Sequence, residues 1–334
     1  MKLTISSELI AQHDNQDIMM YKLCTPSGFS VAILNYGGII WEINTPDKNG
    51  VFTNVVLNHG KFDPANPDYY GAIIGRVAGR IKDARFKINN NFYQLTANHY
   101  ANLLHGGGNG LDKRIWAVKV LPNGLELTYF SPDGDNGFPC NVNLTVRYLI
   151  NEDMQLILEY AADSDGETVL NLTNHSYFNL TGELVNAPRQ LLRLASSAYG
   201  LIDKEVSFTG EVNSVVNTPF DFNQAKPIGT DLHANHPQIN YGKGYDHPFV
   251  LNHSQQYPIE LTDLVSGRYL KIDTQEPVVV VYSGNYNSVP WSAVCLETQR
   301  MPNAINLAKY RDSVICSPNR PYVSRNVWQF GVLE

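Results

Sequence analysis

Apolar residues recur at every second position in three consecutive runs: Leu125, Leu127 and Tyr129; Val142, Leu144, Val146 and Tyr148; Met154, Leu156, Leu158 and Tyr160. A period of two puts one face of an extended chain in a core and the other in solvent, so each run predicts a half-buried antiparallel strand. The connections agree. Ser131-Pro132-Asp133-Gly134-Asp135-Asn136-Gly137 is a loop by composition, and Ile150-Asn151-Glu152-Asp153 fits a tight hairpin. Phe86 and Ile88 alternate into Asn89-Asn90-Asn91, and Tyr93 and Leu95 alternate out again. Ile259 and Leu261 lead through Ser266-Gly267 to Leu270 and Ile272, and Val278 to Tyr282 reads as a strand buried on both faces. Helical periodicity is scarce, with at most short turns between Gly60 and Tyr70, and 18 Pro and 25 Gly are spread throughout. The expected fold is all-β: stacked antiparallel sheets with few short helices, as one domain over residues 1–334.

The remaining bulk properties narrow the partners. A hydrophobic fraction of 43% with 17% charged residues is a globular balance that supplies a sizeable core. The net charge of −7, with Lys and Arg scattered, offers no footprint for nucleic acid or an anionic membrane. No stretch reaches the length of a membrane span, and Met1 to Ile10 is too interrupted by polar residues for a signal peptide. Cys24, Cys140, Cys295 and Cys316 form no Cys-x-x-Cys pair, and free thiols in a cytoplasmic chain are the simplest expectation. Asn-x-Ser/Thr triplets such as Asn143-Leu144-Thr145 carry no weight without a secretion signal.

Against this background a few polar residues stand out. His175 sits within Thr168 to Leu180, a segment that reads as a buried strand with an Asn-rich centre. An imidazole there is either a hydrogen-bonded core residue or a proton donor. Glu297 is flanked by Val294, Cys295 and Leu296, and carboxylates are seldom buried unless paired or functional. Arg80, after a glycine, is either a fork for substrate hydroxyls or a structural ion-pair partner. His105 precedes Gly106 and Gly107, which suits a tight turn or a close backbone approach to a ligand. Asp246 precedes His247-Pro248, and the proline holds His247 extended, which either aims the carboxylate into a cleft or leaves it in a solvated turn. His233 and His236 lack a third ligand, so no metal site is assigned. Phosphate-binding loops, dinucleotide fingerprints and the hydrolase Gly-x-Ser-x-Gly elbow are absent from the sequence.

Taken in order, Gly75-Arg76-Val77-Ala78-Gly79-Arg80-Ile81, Leu104-His105-Gly106-Gly107, Asn174-His175-Ser176-Tyr177-Phe178-Asn179-Leu180, Asp246-His247-Pro248-Phe249 and Leu296-Glu297-Thr298-Gln299 resemble the aldose 1-epimerase (galactose mutarotase) family. Ser131-Pro132-Asp133-Gly134, Gly137-Phe138-Pro139 and Tyr282-Ser283-Gly284-Asn285 add to the likeness, which runs from the Asn35-Tyr36-Gly37-Gly38 turn almost to the end of the chain. The resemblance implies a large antiparallel β-sandwich, the supersandwich of that family, with a sugar site on a concave face. It implies interconversion of the α and β anomers of free aldohexoses such as galactose and glucose, with no cofactor and no metal. It makes Glu297 the general base, His175 the general acid, and Arg80, His105 and Asp246 the substrate-binding groups. Many relatives have Asn where this chain has Gly79, and some have Gln where it has Val280, departures that bear on sugar preference rather than on the reaction.

Anomer exchange opens the ring to an aldehyde, turns about C1–C2 and closes on the other carbonyl face. The ordinary side-chain values of ~4.3 for Glu and ~6.5 for His lead to an ionised Glu297 and a His175 raised modestly so as to be charged, the two on opposite sides of the sugar. One rival is a glycoside hydrolase using Asp246 and Glu297, which leaves His175 without a role. A second rival is a sugar-binding module without turnover. Outside the hydrolase reading the partner is a free monosaccharide, and monomer and homodimer are both open.

Overall fold

The alternating runs become consecutive ladders: Gly124–Ser131 pairs antiparallel with Val142–Ile150, which pairs with Gln155–Ser164. The computed structural model describes residues 3–333. These three strands belong to a nine-stranded sheet in the order Ala117–Leu121, Gly124–Ser131, Val142–Ile150, Gln155–Ser164, Tyr322–Val332, Arg268–Thr274, Ile259–Thr262, Leu191–Leu194 and Lys226–Pro227. A six-stranded sheet runs Tyr177–Phe178, Val294–Gln299, Val278–Tyr282, Asp246–Leu251, Ser196–Ile202 and Phe208–Ser214. A five-stranded meander runs from Thr4–His13 to Phe52–Asn54.

Leu125, Leu127, Leu144, Val146, Leu156 and Leu158 pack in one cluster with Val279, Val281 and Leu296 of the six-stranded sheet and with Val31, Ile33 and Ile43 of the five-stranded one. The nine-stranded sheet therefore shares a single core with both others, the sandwich that alternation predicts. Both anticipated hairpins form: Arg85–Ile88 pairs with Asn91–Gln94, and Ile259–Thr262 with Arg268–Thr274. Residues 60–70 contain turns and no helix. The one α-helix among the described residues is Pro237–Gly242, whose first turn is capped by the His236 side chain accepting from the Gln238 N–H. His236 thus has a local structural task, while His233 packs edge-on against Trp291. No helix among the described residues is long and apolar enough to cross a membrane.

The segment Thr168 to Leu180 departs from the single strand its pattern suggests. It is extended but changes partner along its length: Thr168–Val169 pairs with Ile315–Cys316, Thr173–Asn174 with Ile73–Ile74, and Tyr177–Phe178 with Val294–Cys295. Its asparagines bridge the interruptions. Asn171 exchanges hydrogen bonds with the backbone of Arg300, Asn174 donates to the Gly71 carbonyl, and Asn179 donates to the carbonyls of Glu183 and Ser292. Backbone polar groups buried between ladders need partners, and short amides supply them.

Arg76, buried at 3% exposure, explains a motif that carries no chemistry. Its guanidinium donates to Ser131 Oγ and to the carbonyls of Ser131, Pro132, Pro139 and Cys140 at 2.8–3.0 Å, and to Thr168 Oγ1 at 3.4 Å. The loop from Ser131 to Cys140 is shaped around this one side chain.

Candidate active site

Pleating of the six-stranded sheet decides which side chains meet. In Val294–Gln299, Val294 and Leu296 point into the shared core, so Cys295, Glu297 and Gln299 face the other way; in Val278–Tyr282, Val279 and Val281 do the same and leave Val280 and Tyr282 opposite. The register aligns Pro248, Val280 and Glu297 in one row across the strands, and Asp246, Tyr282, Cys295 and Tyr177 in the next. Apart from Cys295, these residues line a cleft of about 990 Å³, its solvent-open mouth included. A cleft of this size on a pre-formed sheet suits a small ligand.

All five residues singled out from the sequence line that one cleft. Glu297 and Asp246 arrive on the strands Val294–Gln299 and Asp246–Leu251. Arg80 lies on the two-residue strand Arg80–Ile81, paired with Leu103–Leu104, and His105 follows directly. His105 has φ 51° and Gly106 φ 85°, and a Cβ at Gly106 would lie 1.9 Å from the Gly75 carbonyl oxygen. Only glycine permits that approach, which seats His105 against Gly79. His175 is held through its backbone: its N–H donates to the Ala72 carbonyl and its carbonyl accepts from the Gly71 N–H.

His175 Nε2 lies 3.7 Å from Glu297 Oε1, with both side chains almost fully buried. The two groups stand side by side on the cleft floor, not on opposite sides of it as the ring-opening scheme suggests. The physical reason is the pairing of Tyr177 with Cys295, which brings the His175 segment alongside the strand carrying Glu297. Arg80 Nη2 lies 3.6 Å from Asp246 Oδ2, so Arg80 is both an ion-pair partner and a lining group. His105 Nδ1 accepts from the Gly79 N–H at 3.3 Å, which leaves its ring hydrogen on Nε2.

Burial sets the protonation. It pushes His175 down to about 4, opposite to the upward shift that a charged acid calls for. Burial also drives Glu297 well above the usual carboxylate range, with Asp246 adding to the rise and Arg80 opposing it. His105 is lowered by burial, then by the neighbouring His175 and Arg80, and Asp246 is raised by burial against the pull of Arg80. In this low-dielectric floor burial favours the neutral forms of His175 and Glu297 over an ion pair.

Donor atoms of His105, His175 and Glu297 lie within 4.8 Å of one another. The set does not suit a metal ion. Ligating histidines ordinarily donate their second ring N–H to an acceptor, whereas His105 Nδ1 is occupied by the Gly79 N–H, so Nε2 keeps its hydrogen.

Several residues in the cleft or packed against it escaped the sequence reading. Tyr69 stacks edge-on to His105 with centroids 4.7 Å apart, and Tyr177 lies against His175 at 5.0 Å. His99 Nδ1 accepts from Arg80 Nε at 3.5 Å, and the Cys295 thiol lies 3.5 Å from His175 Nδ1. Cys295 and Gln299 were within reach of sequence reasoning, because they fall two residues either side of Glu297 and so share its face.

A profile of the family described as Aldose 1-epimerase matches residues 19–327. The chain is 33% identical over 319 residues to a galactose mutarotase of Mus musculus, covering 91% of each protein, and 34% identical over 315 residues to an aldose 1-epimerase of Haemophilus influenzae, covering 90% of this chain and 91% of that one. Among solved structures, a galactose 1-epimerase from Lactobacillus acidophilus NCFM superposes with a TM-score of 0.89 at 28% identity, covering 99% of this chain and 100% of the other.

Proposed function

The chain belongs to the aldose 1-epimerase family, and from that premise we propose that Glu297 and His175 interconvert aldose anomers as a coupled base and acid sharing one proton. The observation that carries this reading is their convergence at 3.7 Å on the floor of a single cleft. The O1 and ring oxygens of a hemiacetal are bonded to the same carbon, so two catalytic groups side by side can each hydrogen-bond one of them.

In ring opening, Glu297 takes the O1 proton while His175 Nε2–H protonates the ring oxygen. The C1–ring oxygen bond breaks, C1=O1 forms, and the pair passes from carboxylate and imidazolium to carboxylic acid and imidazole. Rotation about C1–C2 and the reverse transfers close the ring on the other face. No proton is gained from or lost to solvent. The carboxylate and imidazolium are reached from the neutral forms that burial favours by moving the pair's one proton from Glu297 to His175, and the transfers to and from the sugar return the pair to those neutral forms. Arg80 and Asp246 bind sugar hydroxyls as a donor and acceptor pair, and His105 offers Nε2–H. The tyrosines around the imidazoles exclude water from the proton transfers.

The test is polarimetry on freshly dissolved α-galactose and α-glucose against the spontaneous rate. His175→Asn is expected to lower exchange by at least ~10²-fold, the usual size of a lost positioned proton transfer. Near-full activity in that variant sinks the assignment, and release of reducing sugar from a glycoside would favour the hydrolase instead.

The pH dependence follows from the shared proton. A second proton reaches His175 only as pH falls toward about 4, and the pair loses its proton only above the ordinary carboxylate range. Exchange should therefore rise as pH climbs past about 4, hold a plateau, and fall again once the pH passes the raised value of the pair. A profile that rises only through pH ~6.5, as an unperturbed histidine would give, contradicts the coupling.

We also propose a cytoplasmic location, a reading supported by four free cysteines, two of them buried.

A further inference from the structure

Gln299 is fully buried and lines the cleft, yet neither Nε2 nor Oε1 has a hydrogen-bond partner in the protein. It is the only side chain lining the cleft with an unpartnered buried polar atom among the described residues. Most buried side-chain amides in folded proteins are hydrogen-bonded, so a buried amide with neither end paired beside a ligand cleft points to a ligand.

The surroundings show why no protein group serves it. Gly79 on the facing loop is close by, where a Cβ would lie 3.8 Å from Gln299 Nε2 and 3.2 Å from Pro302 Cβ, but glycine has no side chain to offer. On its own sheet Gln299 stands opposite Val278, and the adjoining row holds Val280 opposite Glu297. Positions 79, 278 and 280 around the amide are all without a polar side chain. Because strand residues two apart share a face at ~3.4 Å per residue, Gln299 lies about 7 Å along the floor from Glu297. That is roughly the span of a pyranose from its anomeric oxygen to the hydroxyls on the far side.

Resting on the placement of C1 at Glu297 and His175, we infer that Gln299 is a further substrate-binding residue that recognises a hydroxyl of the aldose remote from C1, at C3, C4 or C6. A hydroxyl both donates and accepts, so it satisfies either end of the amide. The preferred substrates are then fully hydroxylated aldoses, and those lacking the contacted hydroxyl are discriminated against. A site built to pair a substrate hydroxyl rejects its deoxy analogue because the protein group is left unsatisfied.

The experiment measures anomer exchange for the parent aldose and its 2-, 3-, 4- and 6-deoxy analogues with wild type, Gln299→Leu and Glu297→Gln. Wild type should lose at least ~10-fold in kcat/KM on one of the 3-, 4- or 6-deoxy sugars, mostly through KM. In Gln299→Leu the parent should fall by a similar factor while that deoxy sugar is unaffected, so the ratio between them collapses. Melting should occur at or above the wild-type temperature, because an unpaired buried amide has been removed. Ratios unchanged within twofold, a collapse confined to the 2-deoxy sugar, or a lowered melting temperature would each overturn the inference. Full exchange in Glu297→Gln would instead overturn the acid and base assignment, independently of the Gln299 ratios.

Discussion

Replacing Glu297 by Gln is expected to reduce anomer exchange at least ~10²-fold while leaving sugar binding largely in place. The amide has the size and shape of the carboxyl and still reaches the O1 hydroxyl, but it accepts no proton from it. The effect should therefore fall on kcat rather than KM, as for an interaction used in the transition state. Stability should move the other way. Burial raises the folded pKa of Glu297 above its unfolded value, so its contribution is most favourable below the unfolded pKa and is lost as pH rises toward the folded one. Gln carries no such dependence, so the variant should match wild type in acid and melt higher than wild type at neutral and alkaline pH. A variant both inactive and less stable across that range would show that Glu297 supports the fold, and near-wild-type exchange would remove it from the mechanism.

Arg76→Met should be the most damaging change outside the cleft, costing about 3–5 kcal/mol in chemical denaturation. Six donated hydrogen bonds disappear, and the carbonyls of Ser131, Pro132, Pro139 and Cys140 lose a shared donor. Ser131 Oγ also donates to Asp135, which pairs with Arg114 at 2.6 Å, so the loss spreads through a connected network. Methionine fills much of the vacated volume, which separates the hydrogen-bond loss from a packing defect. A change below about 1 kcal/mol would mean that water replaces the guanidinium without penalty.

Much of this architecture is written in local pattern. Alternation at Val142 to Tyr148 and at Met154 to Tyr160 reports burial of one face, which is a local property, and the ladders formed where it indicated. The Thr168 to Leu180 segment shows the limit. Its pattern declares an extended chain, but partner choice is settled by residues 73, 294 and 315, far away in sequence. The same holds in the cleft. Glu297 announced itself as a carboxylate within an apolar strand, whereas alternation alone puts Gln299 on the same face and only the folded chain reveals that its amide has no partner. The direction of the His175 shift was also invisible, because desolvation depends on what covers the ring, and Tyr69, Tyr177 and Tyr282 come from three separate stretches. The short helix at Pro237 escaped notice since histidine is an uncommon cap.

The strand Tyr322–Val332 lies in the middle of the nine-stranded sheet, with Gln155–Ser164 on one flank and Arg268–Thr274 on the other. During translation both flanks leave the ribosome before the strand that joins them, and until it arrives each presents an open edge able to recruit a neighbouring nascent chain. Chaperone demand, and the yield of correctly assembled protein at high expression, should accordingly be governed by how fast this central strand is delivered rather than by the strength of the earlier hairpins.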